Sequence, residues 1–222
     1  MSKRFFDQEL DTLKAQLVGM GRQAIEQLRL SIQSLLERDV ELAQKVCKMD
    51  RDLNRMETEL DAEAVRYMTL RGPVASDLRL VVVGMKASHD LERVGDEATN
   101  IARRAITLAE IPPLKEYVDI PRMADMAIEM LQDAIDCFLQ GDQEKALAIC
   151  KRDKQVDQLD GQLYRELSAY IAENSKNITV AIELMFIARS LERAADHATN
   201  IAEEVIFLFS GEIVRHSKEL KA

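Results

Sequence analysis

Tryptophan is absent from the 222-residue chain, aromatic residues make up only 5 %, and there are just 8 glycines and 4 prolines. Sheets draw on aromatic and β-branched side chains, and loop-rich folds draw on glycine and proline, so this scarcity argues against both. Met, Leu, Ala, Glu, Lys and Arg dominate instead, the residues that favour helices, and a hydrophobic content of 47 % is ample for a core. The expected class is all-α.

Cysteine is scarce too. Cys47, Cys137 and Cys150 form an odd set with no C-x-x-C spacing, and Cys47 and Cys150 fall on the apolar faces of matching helices. That pattern fits buried thiols in a reducing compartment. No apolar run approaches the roughly 20 residues a membrane helix needs. The longest, around Leu80 to Met85, is followed by Lys86 and His89, and the N-terminus turns acidic at Asp7 before a signal-peptide core develops. A cytoplasmic chain without a transmembrane segment is expected, peripheral to a membrane at most. Positive charge is also in deficit: 30 basic against 39 acidic residues leave −9, which removes the phosphate-backbone attraction that nucleic-acid binding rests on.

Catalytic signatures are missing as well. Gly19-Met20-Gly21 lies inside a helical pattern and lacks the Lys-Ser/Thr of a phosphate loop. Neither E-x-x-H nor H-E-x-x-H occurs, which argues against a ferritin-like di-iron oxidase or a zinc protease. No nucleophile and base are recognisable as a set. His89, His197 and His216 are scattered, and solvent exposure is the default for each.

What the chain has is a duplication. Leu10, Leu13, Leu17, Met20, Ala24, Leu28 and Ile32 recur at spacings of three and four, predicting a first helix from about Phe5 to Glu37. Asp39 is a good N-cap for a second helix, which Arg71-Gly72-Pro73 breaks, and a third stops before Ile111-Pro112-Pro113. The pattern then restarts, with Gly141-Asp142 as the next stop and N-cap. Asp142 answers Asp39 and Tyr170 answers Tyr67 at an offset of 103 residues, which drops to 100 after the second helix of each half. Two tandem antiparallel three-helix bundles follow, residues 1–110 and 121–222, joined by a linker at 111–120. One continuous six-helix bundle is the variant the sequence does not separate from this.

The third helix of each half carries the same motif. Asp90-Leu91-Glu92-Arg93-Val94-Gly95-Asp96-Glu97-Ala98-Thr99-Asn100-Ile101-Ala102-Arg103 matches the segment Ser190 to Glu203 at nine of fourteen positions. On a helical wheel Leu91, Val94, Ala98, Ile101, Ala102 and Ala105 form the apolar face, with Glu92, Asp96 and Asn100 about half a turn away, so a surface site is expected. Carboxylates at i and i+4 with an amide at i+8 present hard oxygens in a row, suited to Mg²⁺, Mn²⁺, Fe or Ca²⁺. A solvated, Arg-paired helix face is the competing explanation, and repetition of Glu, Arg, Asp and Asn weighs against it. Asp50, Glu57, Asp153, Asp157 and Asp160 on the preceding helices are candidates to complete a cluster, although surface pairing is the commoner role of such acids. Pro73-Val74-Ala75-Ser76-Asp77-Leu78-Arg79 reads as a helix start capped by Ser76 or Asp77.

These segments, together with Ala188-Arg189-Ser190-Leu191-Glu192-Arg193-Ala194-Ala195-Asp196-His197-Ala198-Thr199-Asn200, resemble the signatures of the PhoU family over nearly the whole chain. The resemblance implies two three-helix bundles with multinuclear metal sites for iron, zinc, manganese or magnesium. It places the ligands on Glu92, Asp96, Glu192 and Asp196, with Asn100 and Asn200 auxiliary. Asp50, Asp77, Arg79 and Asp153 are further metal or docking candidates. It implies a non-enzymatic negative regulator of phosphate uptake and of phosphate-starvation genes, an adaptor between a phosphate ABC transporter's ATPase subunit and a sensor histidine kinase, and commonly a homodimer. A carboxylate-ligated metal store or metal-dependent enzyme is the alternative.

Overall fold

The computed structural model describes residues 5–211. Six long helices follow one another: α1 (Phe5–Glu37), α2 (Val40–Arg71), α3 (Ala75–Ala109), α4 (Asp119–Gln140), α5 (Gln143–Glu173) and α6 (Ile178–Ser210), with a single 3-10 turn at Ser175–Asn177 before the last. Among the described residues there is no strand. His216 lies outside them.

Local chemistry sets the helix ends. Asp39 Oδ1 accepts the Leu42 amide at 2.9 Å, and its counterpart Asp142 accepts that of Lys145 at 3.0 Å, each satisfying an otherwise orphaned N–H. The preceding helices stop on left-handed residues, Arg38 (φ 56°) and Gly141 (φ 74°). At Arg38 the chain makes a Schellman bond from the Asp39 amide to Ser34 O, and the Arg38 guanidinium donates to the carbonyls of Ala109 and Ile111, capping the far end of α3. The expected cap at Ser76 or Asp77 is not the one used. α3 begins earlier, at Ala75 behind Val74, whose side chain makes no capping bond, and Ser76 donates to Asp77 instead. Pro121, at the end of the linker segment, sits in the first turn of α4, where its missing N–H costs nothing.

The three-residue change of offset becomes local. Arg71 corresponds to Asn174 at an offset of 103 and Ala75 to Ser175 at 100, so Gly72-Pro73-Val74 have no counterpart in the second half. The 3-10 turn stands where α3 makes its first turn.

Within each half the third helix is the central one. α3 packs on α1 and α2, and α6 packs on α4 and α5. The halves then meet directly, α3 against α6 and α1 against α4, around one continuous apolar cluster that includes Leu91, Ile101, Leu191 and Ile201. The two bundles therefore share a core, an arrangement that stabilises both. At the α1–α4 crossing, Gly21 lets the helices approach so closely that a Cβ there would overlap the Ile135 side chain.

Candidate metal centre

Because α3 and α6 each have neighbours on three sides, the helical-wheel expectation of a solvent-facing acidic stripe holds for Asp196, which is exposed, and fails for the two glutamates. Glu192 is 7 % exposed, and the Glu92 side chain 13 %. Both glutamates lie in the seam with the preceding helix of their own half, where α2 and α5 bring further acids to them.

In the first half, Glu57 from α2 meets His89 and Glu92 from α3. His89 Nδ1 is 3.1 Å from Glu57 Oε1, and one potential ligand atom from each of the three lies within 4.8 Å of the others. Asp61, one turn beyond Glu57, adds a carboxyl whose buried Oδ1 has no hydrogen-bond partner. Glu92 Oε2 is likewise buried without one, with Arg93 Nε 3.6 Å away and out of bonding reach. Asp96 pairs with Arg93 at 3.2 Å. Burial, then the charges of Asp96 and Glu57, push the Glu92 carboxyl above its ordinary range, and burial does the same to Asp61.

The second half repeats the arrangement with different members. Glu192 Oε2 is buried and unpartnered, while its Oε1 accepts from Arg189 at 2.6 Å. Burial first, and Asp196 next, push the Glu192 carboxyl up to about 7. Burial, then Asp196 and Asp157, push Asp153 up to about 6. Burial also raises Asp160 and Asp196. Arg189 offsets only part of the charge of this set of carboxyls, and a cation suits its remaining oxygens. Asp50 and Asp153, equivalent by the repeat, each accept from a motif threonine, Thr99 at 3.4 Å and Thr199 at 3.2 Å.

The two asparagines are positioned for another task. An i, i+4, i+8 row winds about 40° per step around a helix of 3.6 residues per turn, so Asn100 and Asn200 have rotated away from the glutamates. Asn100 donates to Glu97 at 3.3 Å, and Asn200 donates across the seam between the halves to Asp90 at 3.2 Å. His197, expected in solvent, stands at that same seam 2.8 Å from Asp90. Asp77 and Arg79 lie at the opposite end of α3 from Ala109, in a cleft with Lys14, Phe138 and Phe209, separate from the glutamates. The His89 side chain is 57 % exposed, as expected, and what the sequence reading did not give is its approach to Glu57 and Glu92, for which the H-x-x-E spacing His89 to Glu92 is the only local signal.

A family model described as PhoU domain matches the chain twice, over residues 17–105 and 120–205. The chain belongs to the PhoU family. A phosphate-specific transport system accessory protein PhoU homolog from Pseudomonas putida is 41 % identical over 212 residues, 95 % of this chain and 83 % of that protein. One from Aquifex aeolicus is 43 % identical over 208 residues, 94 % of both chains. The crystal structure of PhoU from Pseudomonas aeruginosa superposes with a TM-score of 0.90 at 39 % identity, covering 93 % of this chain and all of that one. The phosphate transport system regulatory protein PhoU from Streptococcus pneumoniae gives 0.88 at 30 % identity, covering 94 % and 99 %. These relatives are named as accessory and regulatory proteins of phosphate transport. The two matched PhoU domains coincide with the two halves of the duplication, so each contributes one of the two acidic groups.

Proposed function

We propose that the chain is a metal-binding regulatory adaptor that restrains phosphate uptake and phosphate-starvation genes, docking the ATPase subunit of a phosphate ABC transporter and a sensor histidine kinase. The observation that carries the metal part is the pair of orphaned carboxylate oxygens, Glu92 Oε2 and Glu192 Oε2, at equivalent positions in two acid-rich seams. A buried carboxylate oxygen left without a donor is costly, and a cation would satisfy it. Glu57, His89, Glu92 and Asp96 would hold an ion in the first half, and Asp157, Asp160, Glu192 and Asp196 in the second. Oxygen-rich sets of this kind take iron, manganese or magnesium, and the imidazole admits zinc. The asparagines are left out of the ligand set because the drift of the helical row carries them away from the glutamates and their Nδ2 groups point to Glu97 and Asp90.

The phosphate part rests on the relatives' names, and the adaptor part on surface chemistry. Val65, Leu70, Val74 and Leu78 expose apolar surface around the α2–α3 turn, beside Asp77 and Arg79. On α6, Ile178, Ile182 and Phe186 form an exposed stripe at i, i+4 and i+8, a surface suited to a second copy of the chain. Among the described residues no helix is long and apolar enough to cross a membrane, so contact with the transporter would bring the chain to the membrane from the cytoplasm. The test is removal of the chain from cells grown with abundant phosphate, read by a phosphate-starvation reporter, with a pull-down of the ATPase subunit and the kinase. Derepression and co-purification are expected. A reporter that stays silent, with neither partner retained, would sink the reading.

A further inference from the structure

Two grooves run along the line where α1 meets α4, of about 510 Å³ and about 330 Å³, and neither shares a lining residue with the acidic seams. They are one groove made twice. Under the offset of 103 residues, Ile25, Glu26, Ile32 and Leu36 correspond to Ile128, Glu129, Ile135 and Leu139. Carried through that exchange, the α1 wall of each groove becomes the α4 wall of the other, nearly position for position. Arg29 and Gln132, themselves equivalents, line both grooves, so the two join into a single face with an internal pseudo-twofold.

That face is apolar within and acidic around. Leu36 shares its groove with half-buried Ile128, Leu139 shares the other with half-buried Ile25, and both leucines are nearly half exposed. One exposed leucine is ordinary on a protein surface, whereas leucine left in water at the two equivalent places of one face marks an unfilled contact. Five carboxylates line the grooves against two arginines. Glu26 stands 3.7 Å from Arg29, and Asp125 has no ion pair among the described residues, so the walls are left negative. A helix seated between two helices is held by apolar anchors at i, i+3, i+4 and i+7, and flanking charge selects its sign. The sign selected here is positive.

We propose that the α1–α4 face docks a twofold-symmetric protein homodimer, each subunit of which lays one helix with apolar anchors and basic flanks into one groove. A lone helix has a direction and no twofold, so it would meet one groove forwards and the other backwards. Two helices related by a dyad meet both grooves alike. One chain then serves two partner subunits. The grooves differ in charge, Arg22 standing in one where Asp125 stands in the other, so the groove with Asp125 is the tighter of the two for a basic helix. The inference rests on the adaptor reading above, to which it adds the surface and the stoichiometry of docking.

The test mixes the full-length chain with the transporter ATPase subunit and, separately, with the cytoplasmic part of the kinase, each prepared as a homodimer. Mass is read by light scattering and affinity by calorimetry. A ratio of one chain to two partner subunits is expected for at least one of them. Leu36→Glu and Leu139→Glu, each checked for folding by circular dichroism, both weaken that complex by at least about tenfold, the scale of an interface anchor. Asp125→Arg, which gives its groove the charge that Arg22 gives the other, weakens it as well, and more strongly at low salt. A complex of one chain per partner subunit, or one that only a single leucine substitution disturbs, would overturn the twofold docking and leave the adaptor reading in place. Affinities indifferent to all three substitutions would do the same. Retention of neither partner would overturn both.

Discussion

Arg193 Nε lies 3.2 Å from Glu97 Oε1, an ion pair that joins the second PhoU domain to the first through a glutamate only 4 % exposed. The position equivalent to Glu97 in the second half is His197, and it too reaches across the seam, to Asp90. Lys86 with Glu204 and Arg104 with Glu183 extend the same antiparallel α3–α6 contact toward its two ends. Two positions at which the motif copies differ, 97/197 and 90/190, thus supply seam contacts, where the same acid in both copies would put like charges near each other.

Removing the buried member of that pair should therefore be felt. Glu97→Ala strands Arg193 and the Asn100 amide and is expected to cost about 1–3 kcal/mol. At roughly 2–4 °C per kcal/mol for a chain of this size, calorimetry should show a clear fall in Tm. Lys86→Ala, at a half-exposed pair, should change it by less than about 1 kcal/mol. Equal effects of the two substitutions would mean that Glu97 has no special place in joining the halves.

The α1–α4 crossing gives a second, independent measure of how the halves hold together. Gly21→Ala puts a methyl into the Ile135 side chain and should destabilise by about 1–3 kcal/mol through overpacking. Ile135→Val in the same chain opens space, so the double variant should recover part of the loss. Strict additivity in the double-mutant cycle would show that the two residues do not press on each other.

Helix boundaries were legible in the sequence because each rests on a local signal: Asp39 and Asp142 cap, Gly72 and Gly141 stop, and the repeat confirms one half by the other. The surroundings of α3 and α6 were not legible, since periodicity reports one apolar face and cannot count neighbours. For that reason Glu92 and Glu192 were expected in solvent, and both are largely buried. Asn100 and Asn200 were drawn into the same row by a spacing that drifts with helical twist. Glu57 and Asp160 were noticed only as loose acids, because the meeting of α2 with α3 and of α5 with α6 is a tertiary fact.

Thiol chemistry should separate the three cysteines. Burial pushes the Cys137 thiol up to about 11 and the Cys150 thiol up to about 12, leaving almost no thiolate at neutral pH, whereas Cys47 is half-buried. A disulfide reagent at pH 8 should titrate at most one thiol, Cys47, in the folded chain and all three in denaturant. Rapid modification of three thiols without denaturant would contradict the packing of α4 on α5.

Stability of the metal-free chain should fall as pH rises from weakly acid to neutral. The Glu192 carboxyl sits near 7 in the folded chain against an ordinary 4.5, and Asp153 near 6 against 3.8, both because burial and neighbouring aspartates oppose their charge. Across that window the folded chain keeps protons the unfolded chain has released, so the stabilisation is complete below pH 3.8 for Asp153 and 4.5 for Glu192 and is lost as pH climbs through 6 and 7. The urea midpoint of the chelator-stripped protein should accordingly be higher at pH 5 than at pH 8. Glu192→Gln removes one of the two contributions and should reduce the difference, mainly by raising the midpoint at pH 8. Since ligands must be deprotonated to bind, added metal should stabilise more at pH 8 than at pH 5, reversing the order. A midpoint that rises with pH in the stripped protein, or a slope that Glu192→Gln leaves untouched, would show that this buried carboxyl is not carrying the pH response.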